Sequence, residues 1–315
     1  MHAIELDDVT RRYGDVTALD GVTLSVEHGR TVGLLGTNGA GKTTLFRHLV
    51  GHETPDSGRI EVVGRSPEAG AAVRERVGYL PERPGFDDAL TAREVLGVHA
   101  ELRGVPAAER DERVERVLAT VGLSTAADRR TGGFSKGMTR RLGLGTVLVG
   151  TPSVLLLDEP TAGLDPRGVE TFHDVVETLA DGSGVTVVFS SHALAEVERL
   201  CDDVVLLDDG RVRVHGPVEE LRLADGSVTV ALRLADPGDA GRASEAARTV
   251  GGVRGVERGR DGRRLRIDCE RSAAFDVLAT VRRAVDLDGF EAHEPDLREV
   301  FGRHVPTGGS GGGAP

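Results

Sequence analysis

Two stretches of this chain place glycines, hydroxyls, a lysine and carboxylates at spacings suited to phosphate chemistry. The first is Gly36-Thr37-Asn38-Gly39-Ala40-Gly41-Lys42-Thr43, which fits the pattern G-x-x-x-x-G-K-[ST]. Gly36, Gly39 and Gly41 let backbone N–H groups face an anion, and Asn38 lies among them. Lys42 brings a compact charge to the β- and γ-phosphates, Thr43 offers a hydroxyl to Mg²⁺, and Thr44 adds a further phosphate contact. The second stretch is Val154-Leu155-Leu156-Leu157-Asp158-Glu159, an apolar run that ends in two carboxylates. A buried strand delivers Asp158 to its edge beside a Mg²⁺ shell, and Glu159 can accept a proton from an attacking water. Lysine usage supports the first assignment: of 39 Lys+Arg, only Lys42 and Lys136 are lysine. A chance glycine turn, or a strand closed by a solvated acidic turn, would explain either stretch alone. Together they specify a nucleotide hydrolase and nothing narrower.

The surrounding sequence supplies the elements these residues need. Thr31-Val32-Gly33-Leu34-Leu35 reads as a buried strand entering the glycine loop, and Thr43–Leu49 as the helix leaving it. Before that, residues 1–30 alternate short β-rich runs with turns, Val22–Val26 among them. From about 88 to 150 the spacing becomes helical; Val114, Val117, Leu118 and Val121 form an apolar stripe in a charged helix over 107–121. From 151 to 216 apolar strands alternate with helices, as in a parallel sheet. Asp209-Gly210 marks a hairpin between Val204–Leu207 and Val212–His215. Near 226 the pattern shifts again: strand 228–234, helix 240–250, strand 253–257, the Asp261-Gly262 turn, strand 265–267, helix 273–285 and strand 289–292. That βαββαβ order predicts a small α+β domain of ferredoxin-like type. The expected domains are 1–225, with a helical part at about 88–150, and 226–305. A Gly-rich tail, 306–315, is expected to be flexible.

Composition narrows the partners. The 315 residues carry a net charge of -12, which disfavours an electrostatic grip on nucleic acid. The preference for Arg over Lys has two readings, a GC-rich genome or adaptation to high salt. Aromatics are only 3% and Trp is absent, so the core must be aliphatic. Cys201 and Cys269 are too few for a disulfide framework or a structural zinc site, which points to a reducing cytoplasm. The N-terminus carries no signal pattern, and no apolar stretch approaches a membrane span. Work at a membrane would need another chain.

Further motifs bring a resemblance into view. Phe134-Ser135-Lys136-Gly137-Met138, Gly78-Tyr79-Leu80-Pro81-Glu82, Ala162-Gly163-Leu164-Asp165 and Ser190-Ser191-His192 follow the family order of the ATP-binding subunits of ABC (ATP-binding cassette) transporters. The resemblance spans roughly 3–222 and implies the P-loop cassette fold: a parallel sheet core with an antiparallel β-subdomain and a helical subdomain. It implies ATP and Mg²⁺ as ligands, with Thr43, Asp158 and Glu82 around the metal. Glu82 stands where Gln is usual. It implies catalytic roles for Lys42, Glu159 and the switch histidine His192, and adenine stacking on Tyr13. Ser135 and Gly137 match the phosphate-facing positions of the signature loop, although a Ser there also caps a helix. Lys136 and Met138 depart from the commonest Leu-Ser-Gly-Gly-Gln form and resemble a branch of exporters. Asp165 lies in the loop that couples two cassettes.

One chain holds one phosphate loop and one signature. The resemblance therefore implies a head-to-tail dimer around two ATP molecules and a separate membrane permease, and no nucleic acid. Pro295–Phe301 resembles the C-terminal segment of efflux-type subunits of the drug, sodium and copper-related branch. A looser resemblance, through Gly78–Glu82 and Ala126–Arg130, is to the ATPase of nitrous-oxide reductase maturation. The rival readings are a soluble ABC ATPase acting on ribosomes or DNA, and a non-hydrolysing switch. Against the first, the chain has neither tandem cassettes nor a long coiled-coil insertion; against the second, Glu159 and His192 are both present.

Overall fold

The computed structural model describes residues 2–223, 226–293 and 297. Most of Pro295–Phe301, including Val300 and Phe301, and all of 306–315 lie outside the described residues. In chain order the elements begin with β1 (His2–Tyr13), β2 (Val16–Glu27), β3 (Thr31–Leu35), α1 (Lys42–Leu49), β4 (Ser57–Val62), α2 (Ala71–Arg74) and β5 (Val77–Leu80). Then come α3 (Ala92–Leu102), α4 (Ala107–Thr120), α5 (Lys136–Leu148), β6 (Val154–Leu157), α6 (Pro166–Ser183), β7 (Thr186–Ser191), α7 (Leu194–Leu200), β8 (Asp203–Asp208) and β9 (Arg211–Pro217). The last are α8 (Val218–Leu223), β10 (Ser227–Leu234), α9 (Ala240–Arg248), β11 (Val253–Arg258), β12 (Arg264–Glu270), α10 (Ala274–Ala284) and β13 (Leu287–His293).

The chain divides into two compact units, one ending at Pro217 and the other starting at Val218. In the first, a six-stranded sheet runs in the order β5-β6-β7-β3-β8-β9. All its pairings are parallel except β8 with β9, which the Asp209-Gly210 turn folds back antiparallel. Strands β3, β6 and β7 are buried at every position, as a sheet covered on both faces requires. Parallel order brings the C-terminal ends of β3, β6 and β7 together, and the glycine loop, Asp158-Glu159 and His192 follow those ends.

A second sheet, β2-β1-β4, is antiparallel. Its first two strands span 12 residues each, longer than the short runs read from sequence. Register shifts along the β1–β2 pair let both strands continue through interruptions of the alternating pattern. Its buried face joins Phe46, Leu45 and Leu49 of α1 in one apolar core with residues of β3, β6 and β8. The helical part is α3, α4 and α5. Thr91 and Glu94 form a capping box at the start of α3. Val114, Val117, Leu118 and Val121, the expected stripe, are all buried.

After α8, the second unit has the order βαββαβ and an antiparallel sheet, β11-β12-β10-β13, which is the ferredoxin-like arrangement expected from the sequence. Its own core combines Val230, Leu232 and Ile267 with Ala243, Val277 and Val281 from the helices. Cys269 is buried in this core, and burial pushes its thiol pKa up; the same cause raises that of Cys201 in the first unit. Both cysteines are free and are packing residues here.

Candidate nucleotide site

The glycine loop is shaped by what its backbone must pass. Gly39 and Gly41 have φ of 86° and 106°, conformations that cost a side-chain-bearing residue free energy. A Cβ at Gly36 would stand 2.4 Å from the carbonyl oxygen of Leu207, and one at Gly41 2.4 Å from that of Ala18. Helix α1 opens directly from Gly41, with no side-chain cap and no acidic residue in its first turn. Its free N–H groups and positive end are left for an anion. Gly36→Ala is expected to abolish ATP binding while retaining the fold, checked by nucleotide titration alongside circular dichroism.

Lys42 is only 7% exposed. Its Nζ donates to the carbonyls of Gly36 at 2.7 Å and Thr37 at 3.3 Å, and lies 3.4 Å from Glu159 Oε1. Thr43 Oγ1 donates to Asp158 Oδ2 at 2.9 Å, which the Tyr79 hydroxyl also approaches at 3.5 Å. Burial, together with Asp158, pushes the Tyr79 pKa up to about 12. Tyr79 therefore stays a neutral donor. Asp158 Oδ1 accepts from Ser190 Oγ at 2.8 Å, and Ser190 Oγ in turn accepts from the Glu159 N–H at 2.7 Å. One serine thus ties the end of β7 to both carboxylate residues after β6.

Glu159 has φ of 43°, an uncommon conformation for a residue with a side chain, and functional sites are where such strain collects. The turn aims its carboxylate between two cations or donors. Oε1 faces Lys42, and Oε2 accepts from His192 Nδ1 at 3.0 Å. Oε1 is buried without a hydrogen-bond partner, so it can accept from an incoming group. The donors around Asp158 are all oxygen, a set that suits a hard cation such as Mg²⁺, which keeps several of its own waters.

The remaining expected residues fall elsewhere on the first unit. Ser135 caps α5, accepting from Met138 N–H at 3.3 Å, and Asp165 caps α6, accepting from Gly168 N–H at 2.7 Å. Ser135, Gly137 and Asp165 line one cavity of about 400 Å³, and no residue of the Lys42 cluster lines it. Glu82 is exposed and pairs with Arg83 at 3.6 Å. Tyr13 is 41% exposed. Its hydroxyl bonds Glu53, and the Arg11 guanidinium lies 4.8 Å above its ring. Asn38 and Thr44 flank Lys42 in the loop and helix.

A family description, ABC transporter, matches residues 19–162. The chain is 37% identical over 305 residues to the daunorubicin resistance ATP-binding protein DrrA3 of Streptomyces coeruleorubidus, covering 95% of this chain and 94% of that one. The chain belongs to the family of ABC transporter ATP-binding subunits. Over 220 residues this cassette is also 37% identical to the bacitracin transport ATP-binding protein BcrA of Bacillus licheniformis, covering 70% of this chain and 71% of BcrA. A solved ATP-binding subunit of an ABC transporter superposes with a TM-score of 0.64 at 31% identity, covering 71% of the cassette chain and 93% of that subunit. The cassette is an ATP-hydrolysing enzyme, and subunits of its family work with membrane permeases. Among the described residues no helix is long and apolar enough to cross a membrane.

Sequence reasoning missed three residues that shape the site. Tyr79 and Ser190 stand inside motifs whose expected chemistry falls to other residues. Arg140 is buried on α5, and its guanidinium donates to the backbone carbonyls of Pro81, at 3.2 Å, and Glu82. It pins the segment that follows β5 to the helical part. Its only sequence signal is a basic residue on a helix, Lys136–Leu148, that has no acidic residue of its own, so a buried charge there needs a partner elsewhere.

Proposed function

We propose that the cassette powers an exporter as one half of a head-to-tail dimer, which closes on two ATP molecules with Mg²⁺ and opens after hydrolysis. The observation that carries this reading is the separation of two half-sites within one chain. Lys42, Glu159 and His192 converge on one cluster, while Ser135, Gly137 and Asp165 line a different cavity. A second copy related by a two-fold axis presents its Ser135 and Gly137 to the phosphates held by Lys42, and the symmetry makes two equivalent sites.

In this reading Thr43 and Asp158 hold Mg²⁺, and Glu82 adds an oxygen once it leaves Arg83. The ion supplies charge neutralisation across the phosphate oxygens when bound. Lys42 exchanges its backbone carbonyls and Glu159 for phosphate oxygens. Glu159 then accepts the proton of the attacking water, and His192 holds the carboxylate and meets the γ-phosphate. Tyr13 takes the adenine on a ring face.

The drug-resistance and antibiotic-transport relatives support export. The partner is a multi-span permease that holds the cassette at the inner face of the cell membrane. Affinity purification from detergent-solubilised membranes is expected to recover that permease. Recovery of ribosomes or DNA in its place refutes the transport assignment.

Residues 226–305 fit a regulatory or dimer-stabilising domain. Their described part has its own core, and its sequence offers no phosphate loop and no paired acids at strand ends. Truncation after Leu223 is expected to leave ATP binding within about twofold of the full chain, as independent sites do, and to lower ATP-driven dimerisation or transport. Full transport and normal dimerisation by the truncated protein would make the domain a passive appendage.

A further inference from the structure

The Glu196 carboxylate, on α7, joins two segments that carry reacting groups. Its Oε2 accepts from Thr161 Oγ1 at 2.9 Å and from Ser191 Oγ at 2.9 Å. Thr161 lies two residues beyond Glu159, in a run of tight turns: Ala162 N–H donates to the Glu159 carbonyl at 3.1 Å, and Leu164 N–H to the Thr161 carbonyl at 3.1 Å. That run ends at Asp165. Ser191 directly precedes His192, and its hydroxyl also accepts from the Ala193 N–H at 2.9 Å. His192 therefore sits inside a turn whose hydroxyl is oriented by Glu196. The other carboxylate oxygen, Oε1, lies 3.8 Å from His173 Nε2, beyond hydrogen-bond reach. His173 is buried, and neither ring nitrogen has a hydrogen-bond partner.

From these contacts we propose that Glu196 is a positioning residue for hydrolysis. One carboxylate oxygen locks the Glu159–Asp165 turn to the His192 turn, and so keeps Glu159 and His192 in register. The inference rests on the roles given above to Glu159 and His192. The tie through Ser190 fixes the backbone at the ends of β6 and β7. The Glu196 tie fixes the next few residues, where an error of about 1 Å is enough to cost catalysis severely. A carboxylate suits this position because it accepts two hydroxyl donors and needs no proton of its own.

The test compares full-length Glu196→Ala, Glu196→Gln, Thr161→Val and Ser191→Ala by steady-state ATP hydrolysis. A tie that matters only for geometry at the γ-phosphate shows in kcat and leaves KM for ATP nearly unchanged. Glu196→Ala is expected to lower kcat about tenfold or more with KM within about twofold. Glu196→Gln keeps an oxygen that accepts both hydroxyls and is expected to stay within about threefold of the natural protein. Thr161→Val and Ser191→Ala, each removing one arm, are expected to fall between. If Glu196→Ala does not fold, these two single-arm variants decide the matter. The proposal is overturned by unchanged kcat in the folded variants, by Gln being as impaired as Ala, or by KM rising in step with the loss of kcat. Glu159→Gln is measured in parallel. Its retained activity would remove the base assignment, whereas an inactive Glu159→Gln beside an unimpaired Glu196→Ala removes only the tie.

Discussion

Glu159→Gln is expected to bind ATP and not to turn it over. The substitution keeps the shape of the side chain and one oxygen that can still accept from His192 Nδ1, now 3.0 Å from Oε2. It removes the group that can take a proton from water. General-base catalysis typically contributes about 10²–10⁴ in rate, so steady-state phosphate release is expected to fall by at least about a hundredfold. Binding should persist, because the loop amides, Lys42 and the free first turn of α1 are untouched. Loss of the 3.4 Å contact also releases Lys42 from a competing acceptor, so ATP affinity should be equal or tighter. Phosphate-release kinetics and a fluorescent-nucleotide titration check both halves. Activity within about threefold of the natural protein rules out the base assignment, since no Brønsted argument allows an amide to replace a carboxylate so closely.

The same variant with ATP and Mg²⁺ is expected to run as a dimer, and substitution of Ser135 in that background is expected to return it to monomer. Ser135 combines a helix cap with a position on the cavity shared with Gly137 and Asp165. Ser135→Arg puts bulk where the partner's γ-phosphate must enter, but it also loses the cap, which costs about 1 kcal/mol of local stability. Ser135→Asp separates the two effects. It keeps a capping oxygen and places a negative charge opposite phosphate, which is repelled. Light scattering should therefore show monomers for both variants. An ATP-dependent dimer that survives both substitutions excludes the signature loop from the interface. If dimerisation needs the permease, the same comparison is made on the assembled transporter.

Much of the site was legible in the sequence because its chemistry is local. A glycine loop between a buried strand and a helix needs Gly36, Gly41 and Lys42 in adjacent register, so the motif and its geometry are one constraint. The apolar run before Asp158 is likewise its own evidence for a buried strand. The domain ending in β13 was readable for the same reason: turn residues at Asp261-Gly262 and clean alternation mark hairpins directly.

What the chain alone could not supply is which distant atoms meet. The order β5-β6-β7-β3-β8-β9 is set by packing, and only that order puts Ser190 of β7 against Asp158 after β6. Nor does any spacing announce that Glu196 reaches Thr161, or that Arg140 holds the carbonyls of Pro81 and Glu82. Hydrogen bonds between segments 31 to 59 residues apart depend on the fold to bring donor and acceptor within 3 Å or so. The residue types of the candidate site, and the strands, loop and helix that frame them, are local properties of the chain. The tertiary structure decided their partners, because those contacts exist only once the sheet is assembled.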